Sequence, residues 1–354
     1  DMNAALTGKQ VSSGFAVSDD RFLVQGSTRP KDFATQMQLL AAYLTDAGWR
    51  PTGWERMRSL AASIQNQLAS TPGGVFNRDV GALIRGGDSR WGTPNLAQMT
   101  GSSVGDARAA VSKPLANDPI EVIIVGDISV EEAIRQTAAT FGALPQRTAA
   151  RASVPPLTFP SGSKEVVTLR HRGREDQGIG FIAWGTQGFH TDPATARTLN
   201  LLGAVYQLRL NDRFREKEGV TYSPQAGHSA SEVFDRFGYL YGRIEAPPAD
   251  LPGFFTAAQQ IADDLKTNPV TADELVRARR PLLEQIERVR AGNEWWLGEL
   301  GDIADDPRVL RALETQVSDL QAITPAALQA AAQRFLRPDA AYRLVVVPEK
   351  AGAR

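Results

Sequence analysis

The sequence predicts an α+β protein made of two repeated domains. Each is a mostly antiparallel sheet with helices packed on one face, and the first copy is truncated at its N-terminus. Three observations lead to this prediction. Segments with strand-like alternation lie next to one another and are followed by amphipathic helices. Similar segments recur in the same order at an offset of about 220 residues. A stretch rich in Pro, Ser, Ala and Arg, residues 146–164, separates the copies like an interdomain linker.

The repeat divides the chain into a first domain at 1–148, a linker reaching to about 163, and a second domain at 164–354. The matching segments share three features. These are an Asp-Arg-Phe before an apolar alternation, a Thr followed three residues later by Glu at a helix start, and an apolar run at the end of the domain. The matching pairs are 18–33 with 233–251, 51–57 with 270–276, and 115–127 with 336–348.

The second domain has the complete pattern. Thr191 can act as the N-cap residue of a long helix, and Leu199, Leu202 and Leu210 then fall on one face of it. This helix is therefore predicted to pack on the sheet. Strands are predicted near 164–171, 177–185, 220–231, 235–246 and 342–347, and helices near 192–217, 248–266, 271–291, 293–303 and 325–336.

The first domain has only part of this pattern. The repeat register puts Asp1 opposite the end of the long helix of the second domain. A leading strand pair and its helix are therefore expected upstream of Asp1, and the chain is expected to be a piece of a longer protein. The register also predicts two superpositions, 20–27 on 235–242 and 120–126 on 341–347.

Composition excludes several classes of function. The 354 residues are 42% hydrophobic and 22% charged, with a formal net charge of -1, so no basic surface for nucleic acid is predicted. No apolar run approaches the roughly 18 residues of a membrane span. The absence of cysteine excludes disulfides, thiolate catalysis and cysteine zinc sites.

The histidines do not form a zinc-peptidase motif. Only His171, His190 and His228 are present, and none stands in an HxxEH or HExxH pattern. Each is predicted to be solvated or locally hydrogen-bonded. No metal site and no cofactor site is therefore predicted in this chain.

One junction between a helix and a strand carries a specific resemblance. It reads FREKEGVTY, residues 214–222, and it occurs together with the duplicated α+β unit, the Pro-rich linker and a VVVPEK ending. In these features the chain resembles the insulinase/pitrilysin family of zinc peptidases, in which four such domains form two halves that close over a peptide. The resemblance covers the latter part of the third domain and the whole fourth domain.

The resemblance implies a role for two residues. The last domain of the family carries an arginine and a tyrosine seven positions apart, which correspond here to Arg215 and Tyr222. Gly219 is the expected C′ residue between the helix and the strand. As catalytic residues, the pair would donate hydrogen bonds to a substrate carbonyl or to the oxyanion. The plainer alternative is that Arg215 interacts with the helix dipole and Tyr222 packs its ring.

Two functions follow from the resemblance. The first is the non-zinc-binding C-terminal half of a zinc-dependent metalloendopeptidase, which closes the substrate chamber. Its expected partners are a zinc-bearing N-terminal half, on the same or a separate chain, and a peptide or small-protein substrate. The alternative is an inert scaffold or peptide-binding subunit of the same fold. Zinc is expected in the missing half, and bacterial relatives suggest a periplasmic location that the sequence itself leaves open.

Overall fold

The computed structural model describes residues 6–147, 155–160, 162, 165–215, 224–303 and 306–349, and for Arg215 it describes the backbone. The chain forms two compact units. Unit 1 comprises Asp1–Ser59, Ala97–Pro155 and Arg290–Asp306, and unit 2 comprises Leu60–Leu96, Pro156–Val289 and Pro307–Arg354. The domain boundaries given by the sequence repeat remain a prediction.

Unit 2 is built on a five-stranded sheet in the order β3-β7-β4-β6-β5. The strands are β3 (Val167–His171), β4 (Gly178–Thr186), β5 (Gln225–Ala230), β6 (Gly238–Ala246) and β7 (Ala341–Pro348). β3 runs parallel to β7, and every other neighbouring pair is antiparallel. The sheet is therefore mostly antiparallel, and the predicted α+β class is confirmed.

Helices cover one face of this sheet and enclose the main core of unit 2. Side chains such as Ile182 and Trp184 on β4 and Leu240 and Ile244 on β6 are buried against these helices. The helices of unit 2 are α3 (Pro72–Leu83), α7 (Pro193–Arg215), α8 (Leu251–Thr267), α9 (Ala272–Arg290), α11 (Pro307–Ala322) and α12 (Pro325–Phe335). Those that contribute to this core are α7, α8, α9, α11 and α12.

Helix α3 lies on the other face of the sheet. The ring of Phe76 on α3 meets the ring of Phe181 on β4, with centroids 5.3 Å apart. Successive residues of a strand point to opposite faces, so Phe181 faces away from the core that Ile182 enters. Sequence analysis did not predict this helix.

Unit 1 has a smaller sheet. Its hairpin pairs β1 (Gly14–Val17) with β2 (Phe22–Gln25), and Phe15 is opposite Val24. The helices that begin in unit 1 are α1 (Phe33–Thr45), α2 (Pro51–Ala69), α5 (Val104–Asn117), α6 (Val130–Ala139) and α10 (Asn293–Glu299), and α4 (Leu96–Gly101) begins at its boundary.

Three local predictions need correction: the strand at 120–126, the N-cap at Thr191, and the capping box at Thr52. Residues 120–126 form no strand. The corresponding run in unit 2, β7, pairs with both β3 and β4, and no such neighbours are found for 120–126 among the described residues. The long helix is capped by Asp192 rather than by Thr191, because the Asp192 carboxylate accepts from the backbone N–H of Thr195 at 3.0 Å. Thr191 instead donates its hydroxyl to the carbonyl of Asp235 at 2.8 Å.

The two predicted capping boxes differ in outcome. The Thr271 hydroxyl accepts from the backbone N–H of Glu274, and the Glu274 carboxylate accepts from the backbone N–H of Thr271, which confirms the second box. In the first repeat, helix α2 begins at Pro51, so Thr52 lies inside the first turn. Proline is favoured at that position because its missing N–H has no partner to lose there.

Candidate functional site

The helix that carries Arg215 is fixed along its whole length. Leu199, Leu202 and Leu210 are completely buried, as the sequence predicted for one face of α7. Tyr206 is also buried, and its hydroxyl donates to the carbonyl of Ala258 on α8 at 2.9 Å. Burial raises the pKa of Tyr206, so this phenol stays neutral. The described part of the helix reaches Arg215, and the predicted end at residue 217 lies outside the described residues.

The side chain of Gln207 on α7 fixes the start of the next strand, β5. The Gln207 side-chain amide donates to the carbonyl of Pro224 at 2.8 Å and accepts from the backbone N–H of Ala226 at 2.5 Å. Gln207 also donates to the Asn211 side chain at 2.8 Å. One side chain on α7 therefore holds both the residue before β5 and the strand itself. The middle of α7 and the start of β5 are thus tied to each other.

Gly219 and Tyr222 lie outside the described residues, as does the side chain of Arg215. The predicted convergence of the Arg215 and Tyr222 side chains therefore remains a prediction. The described structure gives the two ends of the segment that contains them. Arg215 is the last residue of α7, and Pro224, which precedes β5, is buried.

The last described turn of α7 borders a small cleft. Phe214 is buried, and its ring lies 6.1 Å from that of Phe254 on α8. The cleft has a volume of about 260 Å³ and is lined by Arg213, Phe214, Gly253, Thr256, Ala257 and Gln260.

An ion-pair network ties α7 to its neighbours about two turns before Arg215. The Arg209 guanidinium lies 2.8 Å from Glu274 on α9 and 2.6 Å from Asp264 on α8. Burial opposes ionisation of Glu274, but hydrogen bonds from Arg209 and Thr271 lower the pKa of Glu274 overall. Glu274 is thus shared between the capping box of α9 and the side chain of Arg209, which holds three helices in register.

Gln207 and Arg209 were missed by sequence reasoning. Both are polar residues on a helix whose buried positions are mostly apolar. The sequence signal that could have found them is a polar residue between the buried Tyr206 and the buried Leu210. Their partners are 17 to 65 residues away along the chain, and helical periodicity cannot specify such distant contacts.

Two of the three histidines have local hydrogen-bonding roles. His171 is completely buried; its Nε2–H donates to the carbonyl of Gln177 at 2.8 Å, and its Nδ1 accepts from the N–H of Gly173 at 3.0 Å. It therefore holds the turn between β3 and β4. His228 on β5 places Nε2 2.9 Å from the Thr186 hydroxyl and Nδ1 2.8 Å from the Asn200 carboxamide oxygen.

These contacts decide the charge of His228. Nδ1–H donates to Asn200, so Nε2 is the acceptor for the Thr186 hydroxyl in the neutral ring. Burial lowers the pKa of His228 to about 4. The ring is therefore neutral at pH 7 and serves as a hydrogen-bonded link between α7, β4 and β5.

The residues that the structure describes do not fit a zinc ion. His171 and His228 use both ring nitrogens in protein hydrogen bonds. In the described parts of the chain, no group of three or more His, Asp or Glu side chains could hold a metal ion. Across the same residues, no helix has the length and apolar character that crossing a membrane requires.

Comparisons with known proteins place the chain in one family. Residues 103–282, just over half of the chain, match the family described as the peptidase M16 inactive domain. The chloroplastic stromal processing peptidase of Pisum sativum is 23% identical over 317 residues, which cover 75% of this chain and 25% of that protein.

Solved structures show the same fold. The periplasmic protease PqqL from Escherichia coli superposes with a TM-score of 0.80 at 16% identity, over 98% of this chain and 38% of PqqL. The first half of PqqL, solved separately, gives 0.70 at 12% identity over 99% of this chain and 78% of that half. A peptidase M16 inactive domain from Pseudomonas fluorescens gives a TM-score of 0.77 at 20% identity, over 96% of this chain and 81% of that domain. The chain thus spans a quarter of the pea protein and under two fifths of PqqL.

Proposed function

Since the chain belongs to the M16 peptidase inactive-domain family, the insulinase/pitrilysin type, we propose that it forms the non-zinc-binding half of a zinc metalloendopeptidase and closes its substrate chamber. The observation that carries the proposal is the junction between α7 and β5. The described part of α7 reaches Arg215, and the Gln207 amide fixes the start of β5, which begins ten residues later at Gln225. The segment with the Arg and Tyr spacing of the family thus connects two well-packed elements, α7 and β5.

The proposed chemistry uses the two donors of this segment. A guanidinium such as that of Arg215 has only N–H donors, and a phenol such as that of Tyr222 has an O–H donor. Both can donate hydrogen bonds to a peptide carbonyl oxygen and, more strongly, to the oxyanion that forms when the carbonyl is attacked. Because their best hydrogen bonds form in the transition state, they would act mainly on kcat.

The proposed partner is a zinc-bearing half of related fold, which supplies the metal that this chain does not hold. Similarity of fold to a part of PqqL, 38% of its length, and to its separately solved first half supports a pairing of two halves of related fold. The proposed substrate is a peptide or a small protein that the two halves enclose. Its sequence preference would depend on both halves.

The proposal is tested with the assembled peptidase. The chain Asp1–Arg354 alone should cleave no peptide and hold no stoichiometric zinc, and activity should appear with the zinc-bearing half. Tyr222→Phe and Arg215→Ala should each lower kcat by about 100-fold, the effect of removing one oxyanion donor, with little change in KM. Zinc content by metal analysis and steady-state kinetics on a fluorogenic peptide measure these quantities.

Matched controls separate catalysis from packing. Arg213→Ala removes an exposed arginine from the same turn of α7, and Tyr241→Phe removes a half-buried phenol from β6. Both should leave kcat within about twofold, because neither residue is a proposed donor. Unchanged kcat in Tyr222→Phe and Arg215→Ala would instead favour the scaffold alternative. Peptide cleavage by the chain alone would contradict the proposal outright.

A further inference from the structure

Arg243 on β6 is a mostly buried arginine on the face of the sheet that lies opposite the main core of unit 2. Only 19% of its side chain is exposed. In the sheet it is paired with Phe181 on β4 and with Gln225 on β5, and the side chains of directly opposed strand residues share a face. Phe181 packs against α3. Arg243 therefore lies on the α3 side of the sheet, next to the start of the edge strand β5.

An aromatic ring holds the guanidinium of Arg243 in place. Its central carbon lies 4.7 Å from the centre of the Phe76 ring on α3. Phe76 is itself buried and packs edge-on against Phe181. A guanidinium that lies over an aromatic ring keeps the N–H groups at its rim for hydrogen bonds to other partners. The donors of Arg243 are thus pre-oriented for a planar acceptor such as a carboxylate.

Most of these donors have no protein acceptor. A guanidinium carries five N–H groups. One terminal nitrogen of Arg243, Nη2, donates to the carboxylate of Glu245, two residues further along β6. Among the described residues, neither Nη1 nor the buried Nε has an acceptor. Because Nη1 is not enclosed, it can donate to a carboxylate that arrives from outside the chain.

Glu245 shows which chemical group Arg243 binds, and it is itself easily displaced. The side chain of Glu245 is 62% exposed, whereas that of Arg243 is mostly buried. An ion pair with a solvent-exposed carboxylate contributes little to stability, because the carboxylate is well hydrated without its partner. A second carboxylate can therefore join or replace Glu245 at Arg243 at a small cost.

The place of Arg243 in the sheet relates it to the proposed peptidase chemistry. Gln225, its partner across the sheet, is the first residue of β5 and follows Tyr222 by three residues. Opposed Cα atoms in a sheet are about 5 Å apart, and three residues of chain span at most about 11 Å. The Cα atoms of Arg243 and Tyr222 are thus at most about 16 Å apart. An extended peptide covers that distance in about five residues.

We propose that Arg243 determines substrate specificity in the assembled peptidase, by binding the side-chain carboxylate of a Glu or Asp close to the scissile bond of the peptide. This inference rests on the proposed function, which brings a peptide to this end of the sheet. Glu245 pairs with Arg243 when no substrate is bound and competes with the acidic substrate residue. The contact is made in the bound substrate and in the transition state alike, so it should act mainly on KM.

The test uses two matched series of peptides with blocked termini. A single Glu, or a single Gln, is moved through the five positions on each side of the scissile bond. At one or two adjacent positions, kcat/KM for the Glu peptide should exceed that for the Gln peptide by about tenfold, because a charge-assisted hydrogen bond is lost with Gln. The difference should lie in KM. Equal kcat/KM for the two series at every position would overturn the proposal.

Three variants identify the residue responsible. Arg243→Gln should reduce the preference for Glu to within about twofold. Glu245→Gln changes an exposed side chain, so it does not threaten folding, and it should raise the preference by a further threefold or so because the competing carboxylate is gone. Arg236→Gln, at an exposed position in the turn between β5 and β6, should leave the preference unchanged. A preference that Glu245→Gln lowers, or that Arg243→Gln leaves intact, would contradict the assignment.

A binding measurement separates this inference from the proposed function. The same peptides, carrying a fluorophore, are titrated against Asp1–Arg354 and followed by anisotropy, which requires no peptidase activity. If the proposed function fails and Arg243 nevertheless binds acidic peptides, cleavage is absent but affinity for the Glu peptide remains higher. If this inference alone fails, the assembled peptidase cleaves both series, and Glu and Gln peptides bind equally.

Discussion

Unit 1 and unit 2 differ in whether a similar apolar run forms a strand. The run IEVIIV at 120–125 and the run AYRLVV at 341–346 are both apolar and strand-like. In unit 2 the second run becomes β7, because β3 and β4 pair with it on either side. In unit 1 the first run forms no strand. The difference shows that a strand depends on its neighbours as much as on its own residues.

The largest expected effect tests whether unit 2 has its own complete core. Trp184 is completely buried, packs edge-on against Tyr206, and donates its indole N–H to the carbonyl of Arg337 at 3.2 Å. Trp184→Ala should lower the free energy of unfolding of unit 2 by about 3–5 kcal/mol. Phe15→Ala in unit 1, where the ring is half exposed, should cost under about 1 kcal/mol. Urea denaturation followed by hydrogen exchange measures both, and similar losses would break the comparison.

A pH effect should also separate the units. The pKa of His228 falls from 6.5 in the unfolded chain to about 4 in folded unit 2. The unfolded state therefore binds the proton first, and stability that is complete above pH 6.5 is lost as the pH falls toward 4. The loss should be on the order of 2–3 kcal/mol.

This loss is measured by urea unfolding of unit 2 at pH 7 and at pH 4.5. His228→Gln removes the titrating group and should flatten this part of the pH dependence, even if it lowers stability at pH 7. A wild-type profile that stays flat between pH 7 and 4.5 would contradict the neutral assignment of His228.

A smaller effect is expected at the ion pairs of α7. Arg209 is mostly buried and contacts both Glu274 and Asp264. Arg209→Ala should cost about 1–2 kcal/mol, because it leaves the Glu274 carboxylate partly buried without its charged partner. Arg280→Ala removes a surface ion pair with Glu284 and should cost under about 0.5 kcal/mol. Thermal denaturation of the two variants measures the difference, and equal costs would show that the network adds nothing to ordinary surface pairing.

The smallest expected effect tests whether the Gln207 side chain positions β5. Gln207→Ala removes two hydrogen bonds to the chain around β5 and should cost about 1 kcal/mol. The amide of Ala226 should then exchange at least about fivefold faster, while the amides of β6 keep their rates. Unchanged exchange at Ala226 would mean that the strand is positioned by the sheet alone.

Sequence reasoning predicted the fold class and most of the helices and strands of unit 2, because periodic apolar patterns there coincide with a complete core. The 120–126 strand was wrong because its pairing depends on a neighbour that no local pattern specifies. Thr191 was wrong as a cap because Asp192, next to it, competes for the same position. Helix α11 was not predicted, and only Ala312 and Leu320 of its residues are buried, which leaves a weak apolar signature.

For the candidate site, the sequence provided the pair Arg215 and Tyr222 through a family resemblance. Local patterns could not have provided it, since a spacing of seven across a helix end has no periodicity. The contact that positions β5 could be found only from the structure, because Gln207 donates to the carbonyl of Pro224, 17 residues away along the chain. The sequence therefore named the proposed donors, and three-dimensional contacts identified what holds the strand that follows them.

A double-mutant cycle on kcat of the assembled peptidase tests the central claim most directly. If Arg215 and Tyr222 donate to one oxyanion, the double variant Arg215→Ala/Tyr222→Phe should lose less activity than the two single losses combined. A coupling energy of about 1 kcal/mol or more is expected for groups that share a partner. Single variants with wild-type kcat, or losses that add without coupling, would contradict the account.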